Sequence, residues 1–233
     1  MISADRVLPL WLKYREALET PIRTFDFPKF GKTFEDRTYQ MGVLNLSPDS
    51  SYRETVSHTL EAALYRGRRM TLEGAAMVDI GGESTGETAD IVSIERQIDR
   101  MRPTVSALAS DNILVSVETY HPEVAVALLE AGAGVVNLTG RVDDKSFYEA
   151  IAKHEAGLIL CYTPGENPRS SDDLPPVDQV FDAQLLFFKD RVALAEDAGI
   201  ERLWVDPGFG FALNLPDGPD RIRYQTDSIL QSF

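Results

Sequence analysis

Short apolar runs alternate with longer stretches of helical period along most of this chain. From residue 39 the runs are QMGVLNL, MVDIGGE, ILVSVET, GVVNL, GLILCYT and RLWVDPG. Near-continuous apolar runs are what strands buried on both faces look like. Between them lie VSHTLEAALYRGRRMTLEG, IVSIERQIDRMRPTVSALA, PEVAVALLEAG, KSFYEAIAKHEAG and DAQLLFFKDRVALAEDAG, whose apolar residues keep to one helical face. Parallel strands need crossovers of that length. The alternation predicts an α/β fold built on a parallel sheet. Gly74, Gly132 and Gly157 stand just ahead of a predicted strand, where a left-handed helix cap is expected.

Residues 5–18 read as an amphipathic helix, with Leu8, Leu10, Trp11 and Leu12 near one face. The connector after it, TFDFPKFGKTFEDR, could hold a short hairpin that plugs one end of a barrel. The chain thus divides into an N-terminal helix and connector, residues 1–38, and a barrel domain, residues 39–233. The segment TPGENPRSSDDLPPVD, residues 163–178, is long for a strand-to-helix connection and marks a functional or mobile loop.

Polar residues choose between a barrel and an open sheet. Asn45, Asp79, Glu118, Asn137 and Asp206 are each expected at the C-terminal end of a different strand. In a barrel those ends converge on one mouth, where active sites are built. In a doubly wound sheet they would spread along an edge. No GxGxxG follows the first strand, which weakens a dinucleotide fold further. The expected fold is therefore a TIM (β/α)8-type barrel, incomplete after its sixth βα unit. An eight-stranded barrel typically needs about 250 residues. Omission of a C-terminal part is favoured over a partner chain that supplies strands or a rearranged sheet.

Composition narrows the function. The chain has 233 residues, 43% hydrophobic and 26% charged, as in an ordinary globular enzyme. Its formal net charge of −14 opposes nucleic acid and anionic membrane surfaces. No run approaches the roughly 20 apolar residues of a membrane span, and the N-terminus lacks a signal-peptide core. The lone cysteine, Cys161, lies in an apolar run and reads as an inert core thiol. These features suit a cytoplasmic protein. His58, His121 and His154 read as surface residues without a catalytic role.

MGVLNLSPDS, VDIGGEST, SVETYHPEVA, GVVNLTG and VDPGFGF occur in this order over residues 39–211. In that order and at those intervals they resemble the motifs of the dihydropteroate synthase family. The resemblance implies a barrel that holds a pterin at its mouth and replaces the diphosphate of a hydroxymethyl-dihydropterin with para-aminobenzoate. Asp206 then matches the aspartate that accepts the exocyclic amine and ring N–H of the pterin, in the fork geometry a carboxylate offers arginine. Asn137 reads the mixed donor and acceptor edge. Glu118 stands where the family usually has aspartate, which moves the charge outward by about 1.5 Å. Asp79 supports the pterin pocket, and Thr85 contacts the aminobenzoate side. Asn45 matches the asparagine associated with diphosphate and Mg2+, an ion that keeps to oxygen ligands. The sequence leaves a homodimer open.

Read without the resemblance, Asn45 caps a strand and opens a turn, Asp206-Pro207-Gly208 is a common turn, Asp79 caps neighbouring backbone N–H groups, and Glu118 and Asn137 are solvated loop residues. The pattern also departs from the family. Gly86-Glu87-Thr88 replaces the Arg-Pro-Gly that usually follows the GGEST segment, and Ser51-Tyr52-Arg53-Glu54 replaces the first-loop sequence. Ala212 and Leu213 stand where a lysine is frequent, and the Ser-Arg-Lys and Arg-x-His motifs are not found. The anion-gripping end is thus depleted. Arg53 and Arg169 could substitute, though each reads better as a solvated surface arginine. Two alternatives stay open: a methyltetrahydrofolate methyltransferase of the same superfamily, and a non-catalytic pterin-binding paralogue.

Overall fold

Every apolar run forms a strand, and each strand pairs with the next in sequence. In a computed structural model, residues 19–47, 53–84, 89–170 and 174–209 are described, together with 8, 9, 11, 12, 15, 16, 224 and 226. A two-stranded antiparallel hairpin, β1 (Phe25–Phe27) and β2 (Lys32–Phe34), precedes the main sheet. The main sheet contains β3 (Met41–Asn45), β4 (Met77–Gly81), β5 (Val115–Thr119), β6 (Val135–Leu138), β7 (Gly157–Cys161) and β8 (Leu203–Asp206). Its order is β3-β4-β5-β6-β7-β8, and every pair is parallel. A doubly wound sheet reverses direction at a switch point; this one never does, so the sheet is a run of consecutive (β/α)-barrel strands. Among the described residues β8 pairs on one side only, and β3 adds to its pairing with β4 an isolated parallel bridge between Asn45 and Val56.

The crossover helices are α1 (Leu60–Leu72), α2 (Ile94–Ser110), α3 (Pro122–Glu130), α4 (Lys145–Lys153) and α5 (Val180–Asp197). Thr59 and Asp144 cap α1 and α4 through their side chains, accepting from Ala62 N and Ser146 N. Alternate residues of each strand face these helices. Leu44, Val78, Ile80, Val117, Val136 and Leu160 form one core with Val105, Leu128 and Ile151 of the helices.

The other face of the sheet carries a second core at the N-terminal ends of the strands, where Met77, Val135, Ile159 and Trp204 meet Phe27, Phe30 and Phe34 of the hairpin region. The Phe25 and Phe34 rings stand edge-on to Trp204, at 4.7 and 5.2 Å between centroids. The connector thus forms the expected hairpin and closes this end of the interior.

Gly74 and Gly132 take the left-handed cap, at φ 109° and 108°. Gly157 does not. Glu155 adopts that conformation at φ 52°, and Gly157 opens β7. The glycine is needed there for space: a Cβ would lie 2.8 Å from both Phe27 Cζ and Trp204 Cζ3. Among the described residues no helix is long and apolar enough to cross a membrane.

Candidate active site

The alternation that sends Val78 and Ile80 to the helices sends Asp79 into the barrel interior. Asp79 is not at the strand end, as the sequence suggested. It lies mid-strand, two residues before Gly81, and so below the level of Asn45 and Glu118, which pair with Gly81 in the register. Register supplies its partners. Asp79 pairs with Ser116 of β5, and Glu118 pairs with Asn137 of β6. Ser116 Oγ donates to Asp79 Oδ1 at 2.5 Å, and Asn137 Nδ2 donates to Asp79 Oδ2 at 3.1 Å. Asn137 is 7% exposed, yet its Oδ1 is buried without a hydrogen-bond partner. A buried polar atom without a partner is costly. Burial raises the pKa of Asp79 above the usual carboxylate range, a push the two donors oppose and the nearby charge of Asp206 reinforces.

Above this pair sit Asn45 and Glu118, on either side of Gly81. A Cβ on Gly81 would lie 2.9 Å from Glu118 Oε2 and 3.1 Å from Asn45 Oδ1, so glycine lets these two oxygens share the space over β4. Asn45 Nδ2 donates to Thr55 Oγ1 at 2.6 Å, and Thr139 Oγ1 donates to Glu118 Oε1 at 2.8 Å. Glu118 is partly exposed at the mouth. Burial pushes its pKa up to about 8, and the charges of Asp79 and Glu83 add to the push while the Thr139 hydroxyl opposes it.

Asp206 closes the set from β8. Its Oδ1 accepts from Gly208 N at 2.8 Å, so the carboxylate does shape the Asp-Pro-Gly turn. The carboxylate also meets the Cys161 thiol. Cys161 lies beside Asp206 in the register, and burial raises its thiol pKa strongly, which keeps it protonated and inert.

Sequence reasoning missed a second polar cluster on the rim. Glu83, buried two residues after β4, accepts from Val92 N at 3.0 Å, Gln97 Nε2 at 3.0 Å and the Tyr120 hydroxyl at 2.7 Å. Arg169 reaches it from the loop after β7, with Nη2 3.5 Å from Glu83 Oε1. The Arg169 side chain is only 15% exposed, so it is no solvated surface arginine. Its Nη1 and Nη2 bond Glu83 and the carbonyls of Ser84, Ala89 and Asp90, while Nε is buried without a hydrogen-bond partner. His121 is not a plain surface residue either. Its ring packs on Tyr120, and its Nε2 is buried without a hydrogen bond, 3.8 Å from Glu83 Oε2. The signal for this cluster was present in part: Glu83 belongs to the GGEST segment, and the loop carrying Arg169 was already conspicuous by its length. His58 and His154 are exposed, as expected.

Asn45, Asp79, Glu118, Asn137 and Asp206 therefore meet in one mouth. Thr85, the Gly86-Glu87-Thr88 departure, Ser51, Tyr52, Ala212, Leu213 and the Arg53 side chain lie outside the described residues. Chemically, the mouth offers carboxylates and an unpaired amide oxygen, which suit a flat ligand edge rich in N–H donors. No group of three or more His, Cys, Asp or Glu suited to a metal ion occurs among the described residues.

The profile of the pterin binding enzyme family matches residues 41–223. The chain is 36% identical over 179 residues to the dihydropteroate synthase of Escherichia coli K12, covering 75% of this chain. It spans 63% of that relative's length, less than two thirds. It is 33% identical over 200 residues to the dihydropteroate synthase of Streptococcus pyogenes serotype M1, covering 84% of this chain and 72% of the relative. The solved dihydropteroate synthase of Xanthomonas albilineans with 4-aminobenzoic acid superposes with a TM-score of 0.67 at 33% identity, over 88% of this chain and 71% of that one.

Proposed function

Because this chain belongs to the pterin binding enzymes, within the dihydropteroate synthase family, we propose that its mouth seats the aminopyrimidine edge of a reduced pterin for dihydropteroate synthesis. In that reaction the C–O bond to diphosphate breaks, a C–N bond to para-aminobenzoate forms, and the amine loses a proton. The observation that carries the reading is the buried, unpartnered Asn137 Oδ1 beside Asp79. A pterin ring N–H would satisfy that acceptor, while the exocyclic amine and the second ring N–H would fork onto Asp206. Asp79 holds the Asn137 amide so that its oxygen faces the ligand. The aminobenzoate side falls to Thr85.

Mg2+ fits the donor set only sparsely. Asn45 Oδ1 is a neutral oxygen beside the Glu118 carboxylate. Magnesium that enters on a diphosphate keeps several waters and takes few protein ligands. Asn45 would hold such an ion, whose contribution is to neutralise the leaving group. A homodimer in the cytoplasm belongs to the same proposal.

Calorimetry tests the reading. A reduced pterin should bind the chain more tightly than free diphosphate does. Tight diphosphate binding without pterin, or no pterin binding at all, would overturn it. One observation favours a second reading, pterin binding without turnover: both terminal nitrogens of the rim residue Arg169 are committed to protein groups and not to an incoming anion. Dihydropteroate formation from both substrates separates the two readings.

A further inference from the structure

The interior is closed at one end and open at the other. Phe27, Phe30 and Phe34 fill the end where the strands begin. Asp79 and Asn137 lie in the interior beyond them. The aromatic plug bars approach from that end, and the loop side lies opposite it. The rim on that side is built around Glu83 and Arg169.

Arg169 links parts of the chain that share no strand pairing. One nitrogen, Nη1, donates to Ala89 O at 2.9 Å. The other, Nη2, donates to Asp90 O at 3.2 Å and to Ser84 O, and pairs with Glu83. One guanidinium thus grips Ser84 and Ala89, which bracket residues 85–88. Its own loop is braced locally: Asn167 Oδ1 accepts from Arg169 N at 2.9 Å, and Asn167 O accepts from Ser170 N at 3.1 Å. The same loop reaches the segment after β6, where Arg141 N donates to Glu166 O at 2.7 Å. Glu83 in turn binds Tyr120 after β5 and Gln97 of α2. The Glu83–Arg169 pair ties together the loops following β4, β5 and β7, and the backbone bond from Arg141 to Glu166 adds the segment following β6. A guanidinium suits this task because its planar fork serves several acceptors in one arrangement.

We propose that Arg169 is a positioning residue, which buckles the loop after β7 onto the loop after β4 and so fixes the rim against which the second reactant, an aryl amine, is seated. The proposal rests on the functional reading above for the identity of that reactant. The buckle itself is independent of it. Arg169 does not touch the pterin-reading residues, so its loss should separate the two substrates. In Arg169→Ala, the pterin dissociation constant should stay within about twofold, while the KM for 4-aminobenzoate rises at least about tenfold, since a misplaced rim weakens orientation and not the deep site. Arg169→Lys should recover only part of the loss, because one ammonium cannot reach all four acceptors in the same geometry.

Amide hydrogen exchange supplies the second measurement. Val92 N–H donates to Glu83 and Arg141 N–H to Glu166, so both amides should exchange faster in Arg169→Ala while the β4 and β5 amides keep their protection. Unchanged exchange at Val92 and Arg141 overturns the buckle. An unchanged KM, or pterin affinity that falls in step with it, overturns the positioning role. A wild-type protein that binds no pterin, or binds it without turnover, counts against the proposed function instead, and exchange still decides the buckle.

Discussion

Asn137 Nδ2 donates to Asp79 Oδ2 at 3.1 Å, and the oxygen of the same amide is buried and unpartnered. The deep carboxylate thus orients the amide, and the amide presents an acceptor that no protein group uses. Asn137→Ala should remove that acceptor and one donor to Asp79 together. Pterin affinity should fall at least roughly tenfold, the equivalent of about 1–3 kcal/mol for a ligand donor left unpaired. Calorimetry on the folded variant checks this, and wild-type affinity would take Asn137 out of the site.

Asp206→Asn discriminates between a turn former and a ligand. The amide oxygen of asparagine can still accept from Gly208 N, the bond that Asp206 Oδ1 makes now. Its NH2 would then face the donors of the pterin. The expected result is a near-native melting temperature with at least about a tenfold loss of pterin affinity, since a charged acceptor is also stronger than a neutral one. A drop in melting temperature with pterin affinity unchanged would leave Asp206 a structural residue only.

Glu118 makes stability depend on pH in an unusual direction. Its pKa is raised from 4.5 to about 8 in the folded protein. Between those values the folded state holds a proton that the unfolded state has released, so stability falls as pH rises from about 4.5 through about 8. Asp79, also raised by burial, adds in the same sense. Glu118→Gln removes the ionisation. The variant should gain melting temperature over the wild type near pH 8 to 9, with the difference shrinking toward pH 5. A difference that stays constant across this range would mean that Glu118 ionises normally.

The hairpin plug should matter for folding and not for the site. Phe27 is 3% exposed and touches Phe34 and Trp204 at the closed end of the interior. Phe27→Ala should cost about 3–5 kcal/mol in denaturant unfolding. Pterin affinity measured well below the unfolding midpoint should stay near the wild-type value. A loss of affinity in fully folded protein would show that the plug also shapes the mouth.

Local pattern by itself determined the strands and the helices between them. Runs such as MVDIGGE and GLILCYT are apolar enough to be strands buried on both faces, and Leu128 or Ile151 recurs at helical spacing. It also determined that Asn45, Glu118, Asn137 and Asp206 share one end of the barrel, because strand ends in a parallel sheet face the same way. Depth was not legible. That Asp79 lies below Asn45 and Glu118 follows from the register, in which Asp79 meets Ser116 while Gly81 meets Asn45 and Glu118. Register is a tertiary property, fixed by how the side chains of neighbouring strands pack. Nor could sequence show that Arg169 is buried and paired. Glu83 is 86 positions away along the chain (169 − 83), and only the curvature of the sheet brings the loop after β7 back to the loop after β4. The same holds for Gly157, read as a helix cap from its spacing. The aromatic plug that closes the barrel decided its role, since Phe27 and Trp204 occupy the space a side chain would need.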